Sequence, residues 1–270
     1  MSLLQAIILG ILQGATEFLP VSSSGHLVIV PHLLDWPEPG LTLGAILHLG
    51  TLVAVLAYFW RDVWELALAA LTSLRDRSLA DPNARIAWAI AVGTIPGAVI
   101  GFLLEDWFEQ LFSNPQAAAG FLLVTAAILV ISERLSSKQQ PLGAMSWLDG
   151  LLIGLAQTLA IIPGISRSGA TISAGLLRGY RREDATRFSF FLGIPIILGS
   201  GLYQVLKLFI NSNGASQTPL PIIGAGFLAA AVTGYLCIAA LLMIVRRQSL
   251  WPFSVYCASL GLLVLTGVLG

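Results

Sequence analysis

Gln13-Gly14-Ala15-Thr16-Glu17-Phe18-Leu19-Pro20-Val21-Ser22-Ser23-Ser24-Gly25-His26 interrupts an otherwise apolar segment running from residue 2 to residue 34. A helix that crosses a bilayer needs about 20 mostly apolar residues. Glu17, Pro20, the Ser22–Gly25 run and His26 divide this segment into two pieces, each too short to cross. A second segment, 148–178, is broken in the same way by Pro163, Gly164, Ser166, Arg167, Ser168 and Gly169. Each segment reads as two short helices joined by a polar turn, a re-entrant loop. Irregular backbone at that depth must be buried in protein or line a water-filled cavity, because lipid supplies no hydrogen bonds.

The rest of the chain sets the solvent. Of 270 residues, 56% are hydrophobic and 10% charged, and the mean hydropathy is +0.85. A soluble domain carries about 25% charged residues. So few charges cannot cover a water-facing surface, which excludes a soluble enzyme, a nucleic-acid binder and a disordered chain. Cys237 and Cys257 both lie in apolar runs and do not report a redox compartment. No Lys or Arg precedes Arg61, so a cleavable signal peptide is not expected.

Six further segments are predicted to span: 41–60, 86–104, 117–132, 188–210, 222–245 and 253–269. They do not alternate apolar with polar, so a β-barrel is excluded. Threading them in order puts Arg61, Arg75, Arg77, Arg85, Arg134, Lys138, Arg178, Arg181, Arg182, Arg187, Arg246 and Arg247 on one side. By the positive-inside rule that side is the cytoplasm. The opposite loops, 105–116 and 211–221, hold no Lys or Arg. The charged stretch 61–85 reads as a solvated cytoplasmic loop, and Glu105, Asp106 and Glu109 as a solvated surface. The first re-entrant loop then enters from outside and the second from the cytoplasm.

A shift of 144 residues lays Leu4, Gly10, Gln13, Ser22, Ser24 and Gly25 on Leu148, Gly154, Gln157, Ser166, Ser168 and Gly169. An odd number of crossings separates the two copies, so the repeat is inverted. Such repeats bring discontinuous helices together near the midplane and build a site there. The expected fold is an all-α polytopic membrane protein, a single integral membrane domain over 1–270. It has six transmembrane helices plus two re-entrant helix pairs arranged as an inverted-topology repeat, with repeats at 1–132 and 148–270.

An ionisable group in hydrocarbon is costly and is read as functional by default. Glu17 is the acidic residue deep in an apolar segment. It is either a protonated packing group or part of a site with Gln13, which lies one helical turn earlier on the same face. The pair suits a cation or a positioned water. Ser22, Ser23, Ser24 and Gly25 suit a phosphate-cradling turn at a helix start; an N-cap accounts for one of these serines but not for three. His26 is the candidate acid or base, whereas His48 reads as a bonded core residue. Arg167 is a candidate phosphate clamp or a structural partner for Glu17 across the repeat interface, and both can hold: with Glu17 when the site is empty and with phosphate when it is loaded. Ser166, Ser168, Gly169 and Thr171 add to its turn. Together the two tips suit phosphoryl chemistry on a membrane-embedded substrate, or anion transport.

Residues 13–26 and the run Pro163-Gly164-Ile165-Ser166-Arg167-Ser168-Gly169-Ala170-Thr171 resemble the undecaprenyl-diphosphatase family, the bacitracin-resistance proteins of bacteria. The resemblance covers essentially the whole chain. It implies hydrolysis of undecaprenyl diphosphate to the monophosphate and inorganic phosphate, recycling the lipid carrier for envelope polymers. It also implies a divalent cation, Mg or Ca, held at Glu17 and Gln13. The enzyme would lie in the bacterial plasma membrane with its site reached from the outer face. Its partners would be the lipid substrate and the bilayer, with no nucleic acid and room for a homodimer. The family has Glu or Gln at the position of Gln13, so a charged role falls on Glu17 alone. Ser23 is favoured as nucleophile with His26 as acid or base and Arg167 as the charge stabiliser; attack by water or by Glu17 stays open. Ser22, Ser24, Gly25, Ser166, Ser168, Gly169 and Thr171 would hold phosphate. The rival reading is a transporter or flippase of polyprenyl phosphates. A membrane acid phosphatase is disfavoured, because no histidine follows His48.

Overall fold

The computed structural model describes residues 1–37, 40–104, 114–211 and 219–268. Among the described residues the regular structure is helical. In chain order the helices are α1 (Leu3–Phe18), α2 (Ser23–Leu33), α3 (Gly40–Tyr58), α4 (Trp60–Asp76), α5 (Pro82–Leu103) and α6 (Pro115–Leu135). They continue with α7 (Trp147–Leu159), α8 (Arg167–Leu177), α9 (Arg182–Asn211), α10 (Leu220–Arg247) and α11 (Trp251–Leu265). The sequence loops 105–116 and 211–221, with the acidic stretch at Glu105, lie mostly outside the described residues.

Four helices are long and apolar enough to cross a membrane: α5, α6, most of α9, and α10. The α3–α4 pair makes a fifth candidate, but it bends by 81° near Phe59. The predicted span 253–269 falls on α11, which has 15 residues. At about 1.5 Å per residue it is shorter than the roughly 30 Å hydrocarbon core.

The reading of 61–85 as a solvated loop is corrected, because residues 60–76 form α4. Its charges occupy one stripe of an amphipathic helix rather than a loop. Leu66, Ala69 and Ser73 are buried against the protein, while Trp60, Trp64, Leu68, Leu71 and Leu74 are exposed along another face.

The two broken segments fold as helical pairs with matching ends. Ser2 and Ser146 each close a capping box at the start of α1 and α7, a device that satisfies two orphan helix donors at once. Ser22 and Ser166 each cap α2 and α8. Pro20 directly follows the C-cap of α1, Leu19, and Pro163 lies three residues beyond the C-cap of α7, Ala160, where a residue without an N–H does not continue a helix. α1 packs on α10 and α7 on α5 with backbone in contact. A Cβ on Gly10 would lie 2.3 Å from the Gly226 carbonyl, and one on Gly154 would lie 2.1 Å from that of Gly93. Such close approach is the use of small residues in membrane interfaces.

Several of the basic residues assigned to one side form ion pairs with acidic residues. Arg187 pairs with Asp62, Arg182 and Lys138 with Glu133, Arg246 with Glu183, and Arg178 with Asp149. Asp149 opens α7 and Arg178 closes α8, so this helical pair begins and ends at the same level. Tyr180 also donates to Asp149, at 2.8 Å. Burial, together with that carboxylate, pushes the Tyr180 phenol above its ordinary value, so it remains a donor.

Candidate active site

The site lies where the break after α1 meets the break before α8. Leu19 ends the first helix in extended backbone, and Ser22 takes a left-handed φ of 71° that turns the chain into α2. That conformation is uncommon for a residue with a Cβ and clusters at functional sites. On the other side Gly164 adopts φ +97°, and a Cβ there would lie 2.2 Å from the Ala118 carbonyl. Thr125 of α6 fixes this turn, donating to the Gly164 carbonyl at 2.9 Å and accepting from Ser166 N–H at 3.0 Å. The two breaks touch directly, with Ser168 Oγ donating to the Leu19 carbonyl at 3.0 Å.

Glu17 is the hub and is 5% exposed. Its Oε2 accepts from Gln13 Nε2 at 3.0 Å and from Ser23 Oγ at 2.6 Å. Its Oε1 accepts from Arg167 Nη2 at 3.0 Å. The expected pairing of Glu17 with Arg167 is therefore present. Arg167 also donates to the Ser189 carbonyl at 3.3 Å. Its guanidinium sits where a Cβ on Gly193 would be 2.1 Å from Nη1, so glycine makes the room.

The hydroxyl turns are near copies. Ser22 and Ser24 Oγ are 3.3 Å apart, and Gly25 N–H donates to Ser22 Oγ at 3.2 Å. Ser166 and Ser168 Oγ are 3.2 Å apart, and Gly169 N–H donates to Ser166 Oγ at 3.0 Å. Thr171 Oγ1 donates to the Arg167 carbonyl at 2.8 Å and shares a 2.6 Å hydrogen bond with Ser189 Oγ. The caps leave other N–H groups at the starts of α2 and α8, and a helix start attracts anions.

His26 stands apart from this cluster. It is 1% exposed, with Nδ1 2.7 Å from the Ser22 carbonyl and Nε2 2.7 Å from Tyr256 Oη. No hydrogen bond among the described residues joins it to Ser23, Glu17 or Arg167. His48, expected to be a bonded core residue, does donate to the Gly44 carbonyl at 2.8 Å. It also presents Nε2 3.7 Å from Glu17 Oε2. Sequence reasoning missed the site positions of His48, Ser189 and Tyr256. A histidine in the apolar run of α3 was a signal for the first; nothing local marked the other two.

Two buried polar atoms at the site lack protein partners, Gln13 Oε1 and Arg167 Nε. Among the described residues no three His, Cys, Asp or Glu side chains gather as a metal cluster. The protein's hard-oxygen donors for a cation are thus Glu17 and the free Gln13 Oε1. That set fits an ion which takes one or two protein oxygens and completes its shell with phosphate and water.

Helices long enough to cross a bilayer surround a buried carboxylate–arginine pair between two hydroxyl-rich turns. This is a polytopic helical membrane protein with a buried polar site. Residues 6–263 match the family described as bacitracin resistance protein BacA, and the chain belongs to it. A relative from Thermomicrobium roseum named undecaprenyl-diphosphatase is 45% identical, with 98% of each chain covered. A protein of the same name from Geotalea daltonii is 44% identical over 98% of each chain. Another, from Pelobacter propionicus, is 42% identical over the full length of both.

Proposed function

We propose that this chain hydrolyses undecaprenyl diphosphate to undecaprenyl phosphate and inorganic phosphate, the activity that its relatives' names carry. The observation behind the reading is the Ser23–Glu17–Arg167 constellation: a hydroxyl held 2.6 Å from a buried carboxylate that is itself paired with an arginine. Ser23 Oγ attacks the terminal phosphorus, and Glu17, the acceptor within reach, takes its proton. The anhydride bond breaks and undecaprenyl phosphate leaves, with phosphate carried on Ser23. Water then attacks the phosphorus of that ester, the bond to Ser23 Oγ breaks, Glu17 returns its proton to that oxygen, and inorganic phosphate leaves with the hydroxyl and proton of the water. Arg167, with a donor free at Nε, and the amides of the Ser22–Gly25 and Ser166–Gly169 turns, hold the phosphate oxygens. There they stabilise charge as it develops. Ser24, Ser168 and Thr171 keep those turns in shape. His26 acts on the Ser22 carbonyl rather than on the Ser23 hydroxyl.

A divalent cation, Mg or Ca, would be held by Glu17 and Gln13 Oε1 and would supply charge neutralisation for the diphosphate. The finer architecture belongs to the same proposal: six crossings, two re-entrant pairs and an inverted repeat in a bacterial plasma membrane, with the site reached from the outer face. The shared caps at Ser2 and Ser146 and at Ser22 and Ser166 support the repeat. The ion pairs joining the basic loops support their placement on one side.

The experiment is phosphate release from undecaprenyl diphosphate by the purified protein in detergent, with and without EDTA, beside Arg167→Ala. Release that EDTA and the substitution each abolish is expected. Folded protein that binds the lipid without releasing phosphate would overturn the hydrolase and leave the transporter.

A further inference from the structure

Tyr256 is contributed by α11, the helix farthest in sequence from the first break, yet its phenol closes on the most buried imidazole of the site. Its Oη is 2.7 Å from His26 Nε2. The two ring planes are parallel to within 4°, with centroids 5.6 Å apart. α11 is locked onto this region by two neighbouring contacts. Ser254 Oγ donates to the Ala126 carbonyl at 3.0 Å, and Cys257 Sγ to the Pro20 carbonyl at 3.8 Å. These contacts hold the α11 backbone in place, and the Tyr256 side chain, 46% exposed, reaches from it to His26.

The chemistry of the three atoms decides who donates. The Ser22 carbonyl can only accept, so His26 Nδ1 carries a proton towards it. In the neutral ring Nε2 is then a bare lone pair, and the Tyr256 hydroxyl donates to it. The result is a directed chain, Tyr256 O–H to His26 to the Ser22 carbonyl. Its last member is the residue at φ 71° directly before Ser23. A strained residue persists when its surroundings over-determine it. Here the carbonyl of that residue is gripped by an imidazole, whose far side is gripped by the phenol.

We infer that Tyr256 is a positioning residue: it fixes the ring orientation of His26, whose tautomer the Ser22 carbonyl sets, and His26 in turn holds the Ser22 turn so that Ser23 meets Glu17. The inference rests on the hydrolase reading for its kinetic consequence, and on the hydrogen bonds alone for its structural one. Tyr256→Phe keeps the ring and removes only the donor, which separates positioning from packing.

Two measurements on the full-length protein in detergent test it. The first is steady-state phosphate release from undecaprenyl diphosphate by wild type and Tyr256→Phe. The second is the pair of imidazole ¹⁵N shifts of His26 in ¹⁵N-histidine protein, assigned with His26→Gln; the chain has only 3 histidines. The expected result is a kcat lower by about tenfold at unchanged KM, the scale at which outer hydrogen bonds that orient a ligating histidine act. The His26 shifts should report protonated Nδ1 and hydrogen-bonded Nε2, and the Nε2 resonance should move in Tyr256→Phe. Unchanged kcat, a change in KM alone, or a wild-type His26 protonated at Nε2 would each overturn the inference. If wild type releases no phosphate, the hydrolase reading fails by itself and the wild-type shifts still decide the His26 tautomer. Should Tyr256→Phe fail to fold, the wild-type Nε2 shift decides the matter: a hydrogen-bonded Nε2 supports the inference and an Nε2 free of a hydrogen bond would overturn it.

Discussion

Removing Arg167 strands a carboxylate, and the size of the effect follows from what Glu17 keeps. The pair is 3.0 Å apart with side chains 13% and 5% exposed, so solvent screens it little. Deleting one partner of a buried pair costs about 3–5 kcal/mol, whereas replacing both by apolar groups of similar size is often close to neutral. In Arg167→Leu, Glu17 retains Gln13 at 3.0 Å and Ser23 at 2.6 Å, which places the loss near the lower bound. About 3 kcal/mol at roughly 2 °C per kcal/mol for a chain of this size corresponds to a melting temperature about 6 °C lower. Glu17→Leu, which leaves the guanidinium with only the Ser189 carbonyl, should fall at least as far. The double variant should melt above both singles, because neither charge remains uncompensated. Melting in detergent for the four proteins gives the coupling as a double-mutant cycle. All three variants should lose phosphate release, since stability returns in the double variant without the chemistry. A double variant that melts lower by the sum of the single losses would refute the pairing argument.

Three further outcomes follow from the packing. Gly10→Ala and Gly154→Ala place a methyl against the carbonyls of Gly226 and Gly93; each should lower the melting temperature by the equivalent of about 1–3 kcal/mol, and unchanged melting would contradict the close approach. Asp149→Asn weakens the bonds from Arg178, Tyr180 and Ser146. Because Arg178 is 44% exposed, the cost should be only about 1–2 kcal/mol, with KM for the lipid unchanged in phosphate-release assays. His48→Ala removes a ring 3.7 Å from Glu17 and should slow turnover by less than the roughly 100-fold of a direct acid or base, with melting preserved. A complete loss of activity would make His48 a catalytic residue.

Much of this site was legible because its chemistry is local. Glu17 and Gln13 share a helix face one turn apart, and Ser22 and Ser166, 144 residues apart in the sequence, each cap the helix that follows. The cost of Glu17 and Arg167 in hydrocarbon is also what made each demand the other. What could not be read was set by helices arriving from afar. His48 stands out in its apolar helix without showing what it faces, Tyr256 is ordinary in its own, and both acquire meaning only when α3 and α11 close on the first break. The stretch after residue 60 misled for a different reason. Mixed charges look like a loop when counted, and like an amphipathic helix only when their angular positions are followed. The same count hid the 81° bend near Phe59, since neither flank holds a proline or glycine at the break.

The most direct measurement compares inorganic phosphate released from undecaprenyl diphosphate by wild type and by Ser23→Ala, both shown to be folded by the same melting profile. The account predicts steady release from wild type and none above background from Ser23→Ala. Equal release from the two proteins would contradict it.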